Sequence, residues 1–380
     1  MRNGHRGPKV LLVHLLDDFS GASRICLNVA SVLAEAGMRP DLMVSSAGTD
    51  GFLRRDLGIM PSFFYRIGAG SIAKAVYLAA AQLALGARVF TYCLKHRPDL
   101  VYVSTVLPSS ALVAARLCGT PSVCHVHETS LGSPLLFRLC RYVAKQFSSR
   151  QIVVSDYAAR ELGFELGRCT VVHNALAEAD WRTAAAVASS RRSGPHSPFC
   201  VMMATSLKSY KGIDSFVEIA ASLRRRPGVR FRLILNAEPA EFLAFSRKHD
   251  LPNMSMVRRP PSIYEEFSEA DLVVNLSHPE ACVETFGMTL LEAMCCGVPV
   301  VSPLVGGCLE LFEEGKGGWR RGSRDIAGIV SLIEKLADNP VLWSSMSSAA
   351  RAAAQRFAPE RFSAHVLAAL ELCPDAGELR

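Results

Sequence analysis

The chain has 380 residues, 49% hydrophobic and 20% charged, with a net charge of +7; this suits two α/β domains and excludes a disordered, collagen-like or small disulfide-stapled protein. Its 12 cysteines include no Cys-x-x-Cys pair and no Cys/His array of zinc-finger spacing, so they read as reduced thiols in a cytoplasmic protein. Residues 1–180 hold 19 Lys and Arg against 13 Asp and Glu; the first half is basic, yet without a reason in its pattern to expect a nucleic-acid partner.

MRNGHRGPKV opens the chain, and an apolar-rich run of seven residues, 10–16, leads to Asp17 and Asp18. That run is too short for a secretory core, and the chain is expected not to be exported. No stretch is expected to span a membrane, because the apolar runs are better explained as buried strands and helices.

In the first half, KVLLVHLL (9–16), DLMVSS (41–46), DLVYVS (99–104), PSVCHVH (121–127), QIVVS (151–155) and CTVVHN (169–174) read as strands. They are continuously apolar rather than alternating, which predicts a parallel sheet covered on both faces. Helices are expected at 21–36, 109–118 and 155–163, giving a doubly wound domain. WRTAAAVASSRRSGPHSPF (181–199) is rich in small residues and proline and is expected to contain a linker. Beyond it the alternation restarts, with strands at 199–205, 230–236, 254–257, 271–277 and 298–302 and helices near 213–226, 239–249, 287–296 and 324–338. Two Rossmann-like halves predict a ligand cleft at the carboxyl ends of the strands.

The strongest chemical signal is HPEACVETFGMTLLEAMCCGVPVVSPLVGG (278–307). Glu284 and Glu292, if eight helical steps apart, would be separated by about 12 Å, too far for a pair of glycosidase carboxylates but suited to the two ends of one long ligand. Free amides at a helix start between them would take an anionic group, and Gly287 would let the backbone approach it closely. A diphosphate between two hydroxylated rings fits; two solvated glutamates on an amphipathic helix are the plainer alternative.

ETFGMTLLEAMCCGVPVV, followed by VGG and Glu310, resembles the donor-binding signature of the retaining family 4 glycosyltransferases of GT-B fold, and TSLKSYKGID (205–214) resembles their basic loop. The resemblance implies two Rossmann-like domains facing across a cleft: 1–180 for the acceptor, a linker at 181–198, 199–355 for the nucleotide sugar, and a C-terminal helix within 356–380 returning to the first domain. It implies that Glu284 contacts donor-sugar hydroxyls, that Phe286, Gly287 and Met288 meet sugar or phosphate, that Glu292 binds ribose, and that Lys211 pairs with the diphosphate. Where the family commonly has Gly-Arg, this chain has Thr205-Ser206; Lys208 is then the substitute cation, beside Ser206 in the donor site. DDFSGASR (17–24) resembles the family's glycine loop, with Gly21 nearest the donor phosphates, and HVHE (125–128) its acceptor-side His-Asp/Glu, with His127 hydrogen-bonding the transferred sugar.

The activity so implied is metal-independent, cofactor-free transfer of a sugar from a nucleotide diphosphate donor to a saccharide or lipid-linked acceptor, in cell-surface polysaccharide or glycolipid synthesis. Alternatives are a GT-B sugar-nucleotide epimerase or a non-catalytic binding protein of the same fold.

Three other patterns need weighing. GAGSIA (68–73) satisfies Gly-x-Gly-x-x-Ala, but no acidic residue lies between Asp56 and Asp99 where a dinucleotide site needs one. Cys118, Cys124, His125 and His127 cluster in sequence, although strand alternation sends 124 and 125 to opposite faces. The acid-free stretch 57–98, and LLFRLCRYVAKQFSSR (135–150), mix cations with apolar residues and suit an anionic membrane surface at the inner face of the plasma membrane; helices buried by the sheet would carry the same letters.

Overall fold

The computed structural model describes residues 7–46, 51–53, 63–64, 71–164, 167–191 and 193–371. It divides into two units, one running to Asn174 and resuming at Glu360, the other Ala175–Pro359.

The first unit contains β1 (Lys9–His14), α1 (Gly21–Glu35), β2 (Arg39–Ser46), β3 (Phe63–Phe64), α2 (Ser71–His96), β4 (Leu100–Ser104), α3 (Ser109–Leu117), β5 (Ser122–Val126), α4 (Pro134–Phe147), β6 (Arg150–Val153), α5 (Asp156–Leu162) and β7 (Cys169–Val171). The strands form one parallel sheet in the order β3-β2-β1-β4-β5-β6-β7. β1 lies inside the sheet, third of the seven strands, Val10 pairing with Pro40 on one side and Leu100 on the other, and the strand order reverses between β1 and β4. β4 and β5 are buried at every position, which explains why their sequences are continuously apolar. Serines start three of the helices: the side chains of Ser20, Ser133 and Ser155 accept from the backbone amides of Ser23, Leu136 and Ala158, satisfying one orphan donor in each first turn.

In the second unit are α6 (Glu178–Ser190), β8 (Phe199–Ser206), α7 (Ile213–Ser222), β9 (Val229–Asn236), α8 (Pro239–Lys248), β10 (Met254–Arg258), α9 (Ile263–Ser268), β11 (Leu272–Val274), α10 (Met288–Cys295), β12 (Val300–Ser302), β13 (Glu313–Glu314), β14 (Gly317–Arg320), α11 (Ile326–Ala337) and α12 (Pro340–Ala354). Its parallel sheet runs β10-β9-β8-β11-β12-β14-β13, reversing between β8 and β11. The core gathers Phe199, Phe216, Phe231, Leu233, Ile333 and Trp343. A last helix, α13 (Pro359–Glu371), belongs from Glu360 onward to the first unit.

The segment read as a linker is built differently. Residues 181–190 lie inside α6, which buries Ala184 and Ala188, and the residues after it are tied into the second unit. Arg191 donates to the carbonyls of Phe267 and Ala270 and lies 3.8 Å from the buried carboxylate of Asp271. That carboxylate also accepts from His196 Nδ1 at 2.8 Å and from the amides of His196 and Cys200. A buried charge with this many partners is satisfied in place, which is why a stretch of small residues and prolines is structured here.

Of the sequence patterns set aside, Gly68 and Gly70 of GAGSIA lie outside the described residues, and Ser71 onward is α2. The Cys/His group is dispersed: Cys124 Sγ donates to the Thr105 carbonyl, Cys118 Sγ to the Phe90 carbonyl, and His125 Nδ1 pairs with the Tyr102 hydroxyl. The eleven described cysteines are unbridged. One helix among the described residues, Ala73–His96, is long and apolar enough to cross a membrane by length and composition.

Candidate functional site

At the carboxyl end of β8, where the strand order of the second sheet reverses, the chain turns through a short 3-10 segment, Ser209–Lys211. Gly212 comes next with φ +73°, and a Cβ there would stand 1.9 Å from the Leu276 carbonyl oxygen. Only glycine admits this conformation and this approach together. The amide of His278 donates to the Tyr210 carbonyl at 2.8 Å, so the turn after β8 is fastened to the segment after β11.

That fastening brings together residues 73 apart in sequence. Lys211 Nζ donates to Glu284 Oε2 at 3.2 Å, and Asn275 Nδ2 donates to the same oxygen at 3.1 Å. The two charged side chains are 23% and 21% exposed: shielded enough to interact strongly and still open to a ligand. Asn275 is itself held, its Oδ1 accepting from the Ser277 amide. Burial alone would lower the Lys211 pKa, but the charge and hydrogen bond of Glu284 outweigh it and raise it above the usual lysine value, so the ammonium is fully charged at neutral pH. Both contacts fall on Oε2, leaving Oε1 of Glu284 to accept from a further hydroxyl.

The backbone of Glu284 is fixed as firmly as its carboxylate. Gly306 bridges it as a short parallel pair, and the Gly307 amide donates to the Glu284 carbonyl at 2.9 Å. Gly306 has φ +125°, and a Cβ on it would lie 2.3 Å from that carbonyl oxygen, so the paired glycines are needed for backbone contact at this point. Glu284 is therefore in an extended bridge, not in a helix; α10 begins only at Met288, after Gly287 at φ +92°. The separation reckoned over eight helical steps does not apply, since only the last few residues before Glu292 are helical.

The start of α10 has no side-chain cap, which leaves its first amides to water or an anion. Met288 and Thr289 are half-buried there. Phe286 is placed otherwise: its ring is 2% exposed and meets Phe357 edge-on with centroids 5.6 Å apart, so only its backbone is left for a ligand. Glu292 is 7% exposed among the buried residues of α10, which rules out a solvated glutamate. Ser206 closes β8 half-buried, while Lys208 is exposed; the structure thus separates the two lysines, one paired with a carboxylate and one open to solvent.

In the first unit, Gly21 opens α1 behind its Ser20 cap. A Cβ at Gly21 would meet nothing within 4 Å, so the fold of this unit does not require glycine there. Ser23 links His14 Nε2, at 3.1 Å, to Asp18 Oδ1, at 2.7 Å. His127 lies just after β5 with its ring 4.2 Å from that of His125; burial, with His125 and His14 nearby, holds its pKa well below the usual histidine value, and the ring is neutral at pH 7.

Two residues that the sequence did not single out stand beside these. Burial raises the Glu128 carboxyl to a pKa of about 7, although the His127 amide, the Val106 backbone and the Thr105 side chain donate to it. Thr105 holds φ +72°, a costly conformation for a β-branched residue and one that gathers at functional sites. HVHE marked the segment, but nothing in the letters gives Glu128 a near-neutral pKa. Asn275 was legible only as a polar residue ending a buried strand.

Residues 19–179 match the model of Glycosyltransferase Family 4 and residues 189–355 that of Glycosyl transferases group 1, so the two models between them account for most of the chain. This chain belongs to the family 4 glycosyltransferases of GT-B fold. Glycogen synthase of Mycobacterium tuberculosis is 26% identical over 67% of this chain and 64% of its own length. D-inositol 3-phosphate glycosyltransferase of an Arthrobacter species is 30% identical over 46% of this chain and 42% of its own. The match thus spans less than two thirds of these curated relatives. Among solved structures, HepE of Anabaena, in complex with UDP-glucose, superposes with a TM-score of 0.71 at 20% identity, over 96% of this chain and 99% of that one. Sucrose-phosphate synthase of Thermosynechococcus elongatus gives a TM-score of 0.73 at 16% identity, over 98% and 100%.

Proposed function

We propose that the chain transfers a sugar from a nucleoside diphosphate donor, bound by the second unit, to an acceptor hydroxyl, with retention at the transferred carbon. The carrying observation is the Lys211–Glu284–Asn275 group, assembled where the second sheet reverses and close in sequence to the uncapped start of α10. Oε1 of Glu284 would accept from a sugar hydroxyl, and the ammonium of Lys211 would stand against the diphosphate.

In this reading Lys211 and the amides of α10 stabilise the charge that grows on the departing diphosphate, the task of a divalent cation in metal-dependent transferases. Glu292 binds ribose, and Lys208 supplies the charge that a guanidinium gives elsewhere, as a point charge rather than a fork. No described side chain is placed as an evident nucleophile, which favours a front-face step in which the leaving phosphate oxygen takes the acceptor proton. His127, neutral, can donate or accept at a sugar hydroxyl. The named relatives, glycogen synthase and an inositol phosphate glycosyltransferase, support glycosyl transfer, and HepE with UDP-glucose supports a nucleotide-sugar donor. A surface polysaccharide or glycolipid is the proposed product class.

The test is incubation with a panel of nucleotide sugars and with saccharide and lipid-linked acceptors, products being resolved by mass spectrometry and linkage analysis. A glycosylated acceptor with retained configuration supports the reading. An epimerised donor formed without any acceptor replaces it with the epimerase, and donor binding without turnover of any kind leaves a binding protein.

A further inference from the structure

We propose that α2, α3 and α4 of the first unit form a docking face for an anionic lipid bilayer. The inference does not depend on the transferase reading. These helices connect β3 to β4, β4 to β5 and β5 to β6, crossovers that all run in the same direction across the sheet, and right-handed crossovers in one direction place their helices on one face; α3 packs against both α2 and α4.

Their outer surface is unusual for a water-facing layer. Of the thirteen exposed large hydrophobic residues among those described, nine lie here: Val76, Tyr77, Leu83, Phe90 and Leu94 on α2, Leu117 on α3, and Leu135, Leu139 and Tyr142 on α4. Single exposed leucines are ordinary, but a concentration of them marks a surface that meets something.

The residues are ordered as well as numerous. On α2, Val76, Leu83, Phe90 and Leu94 recur at intervals of seven, seven and four, one helical face, while Ala81, Leu85, Val89 and Cys93 recur every four and are buried. At about 100° per residue the two stripes lie on opposite sides of the helix. α4 repeats the arrangement: Phe137, Cys140 and Ala144 are buried, and Leu135, Leu139 and Tyr142 point the other way. α2 is also held by polar contacts, Gln82 donating to the Leu107 carbonyl and accepting from the Ser110 amide. A helix packed along one whole side lies on the unit, so although its length would allow a crossing, the geometry is that of a helix seated in the bilayer interface.

Charge selects the occupant. From Leu57 to Ser155 the sequence has ten Lys and Arg and only two acids, Asp99 and Glu128, and α2, α3 and α4 contain no acid at all. Lys74, Arg88, Lys95, Arg116 and Arg138 are exposed, and among the described residues none of them makes an ion pair. Exposed apolar stripes bordered by unpaired cations complement a surface with an apolar interior and anionic headgroups.

The experiment is co-sedimentation of the full chain with phosphatidylcholine vesicles with and without phosphatidylglycerol, at low and at high salt. Binding is expected to the anionic vesicles and to weaken with salt. Reversing two cations, Arg138→Glu with Arg141→Glu, is expected to weaken it at least about 25-fold, taking roughly fivefold for each basic residue near the surface. Leu83→Ser with Leu139→Ser is expected to weaken it by about 100-fold, while Val341→Asp in the second unit leaves it unchanged. Circular dichroism checks that each variant is folded, and the charge pair serves should the leucine pair not fold. Absence of binding to anionic vesicles at low salt, or binding indifferent to both double variants, overturns the proposal. So does a concentration-dependent dimer, seen by light scattering, that Leu83→Ser with Leu139→Ser abolishes, since the face would then belong to a second copy.

Discussion

Gly212 and Leu276 approach so closely that a methyl group on the one would sit 1.9 Å from the carbonyl oxygen of the other. This contact sets the turn bearing Lys211 against the segment leading from β11 to Glu284, and so determines whether the two charges meet. Gly212→Ala must relieve both the overlap and a left-handed φ of +73°; a cost of about 2–4 kcal/mol to the second unit is expected. Urea unfolding measures that cost, and nucleoside diphosphate affinity measures the accompanying loss of the site. An alanine variant as stable and as tight as the parent would contradict the role given to this contact.

Lys211→Ala separates charge from structure. With Asn275 still donating to Glu284, stability should fall by only about 1 kcal/mol, whereas turnover should fall by about 100- to 1,000-fold. Lys211→Arg should restore affinity in part. The lysine pKa is raised in the folded chain, so its stabilising contribution is complete below the unfolded lysine value and is lost as the pH rises through the folded one. In Lys211→Ala that alkaline component of the stability profile should vanish.

For Glu128 the sign is the same, although the protonated form it favours is the neutral one. Its carboxyl titrates near 7 in the folded chain against 4.5 for the ordinary group, so the native state keeps a proton that the unfolded chain releases earlier. Stability of the first unit should fall as the pH rises from about 4.5 to about 7, and level off above. Glu128→Gln should flatten this slope and raise stability at pH 8 by about 1–3 kcal/mol. Thermal melts of parent and variant across that range decide it; parallel profiles would count against it.

Gly21 and Phe286 make a contrasting pair. Gly21→Ala meets no neighbour, so stability should stay within about 0.5 kcal/mol of the parent while the KM for donor rises. Phe286→Ala should instead cost about 3–5 kcal/mol, as a ring lost from the core beside Phe357. Unchanged donor kinetics in Gly21→Ala would remove that glycine from the donor site.

Much of the fold was legible because parallel strands buried on both faces spell themselves out as apolar runs: KVLLVH, LVYVS and FCVMMATS need no partner information to be recognised. Segment 181–190 was not legible, because a helix of alanine and serine that buries only Ala184 and Ala188 resembles a linker, and the Arg191–Asp271 contact that orders the chain beyond it joins residues 80 apart in sequence. The same holds in the site. Motif residues Glu284, Lys211 and Gly287 could be named singly, but their meeting depends on Gly212 fitting beneath Leu276 and Gly306 against Glu284. Phe286 read as part of the ligand site because it sits within the motif; its burial against Phe357 depends on a residue 71 positions away. Asn275 and Thr105 carry no periodic signal, since each is a polar residue immediately after a buried strand.

Titration calorimetry of UDP and the other nucleoside diphosphates into the full chain, its Lys211→Ala variant and its Glu284→Gln variant goes most directly to the central claim. Binding of one of these ligands by the parent, weakened at least about tenfold in Lys211→Ala and retained for the bare nucleotide in Glu284→Gln, is the predicted result. Failure of every nucleoside diphosphate to bind, or equal affinity in Lys211→Ala, would contradict the assignment of this site to a nucleotide-sugar donor.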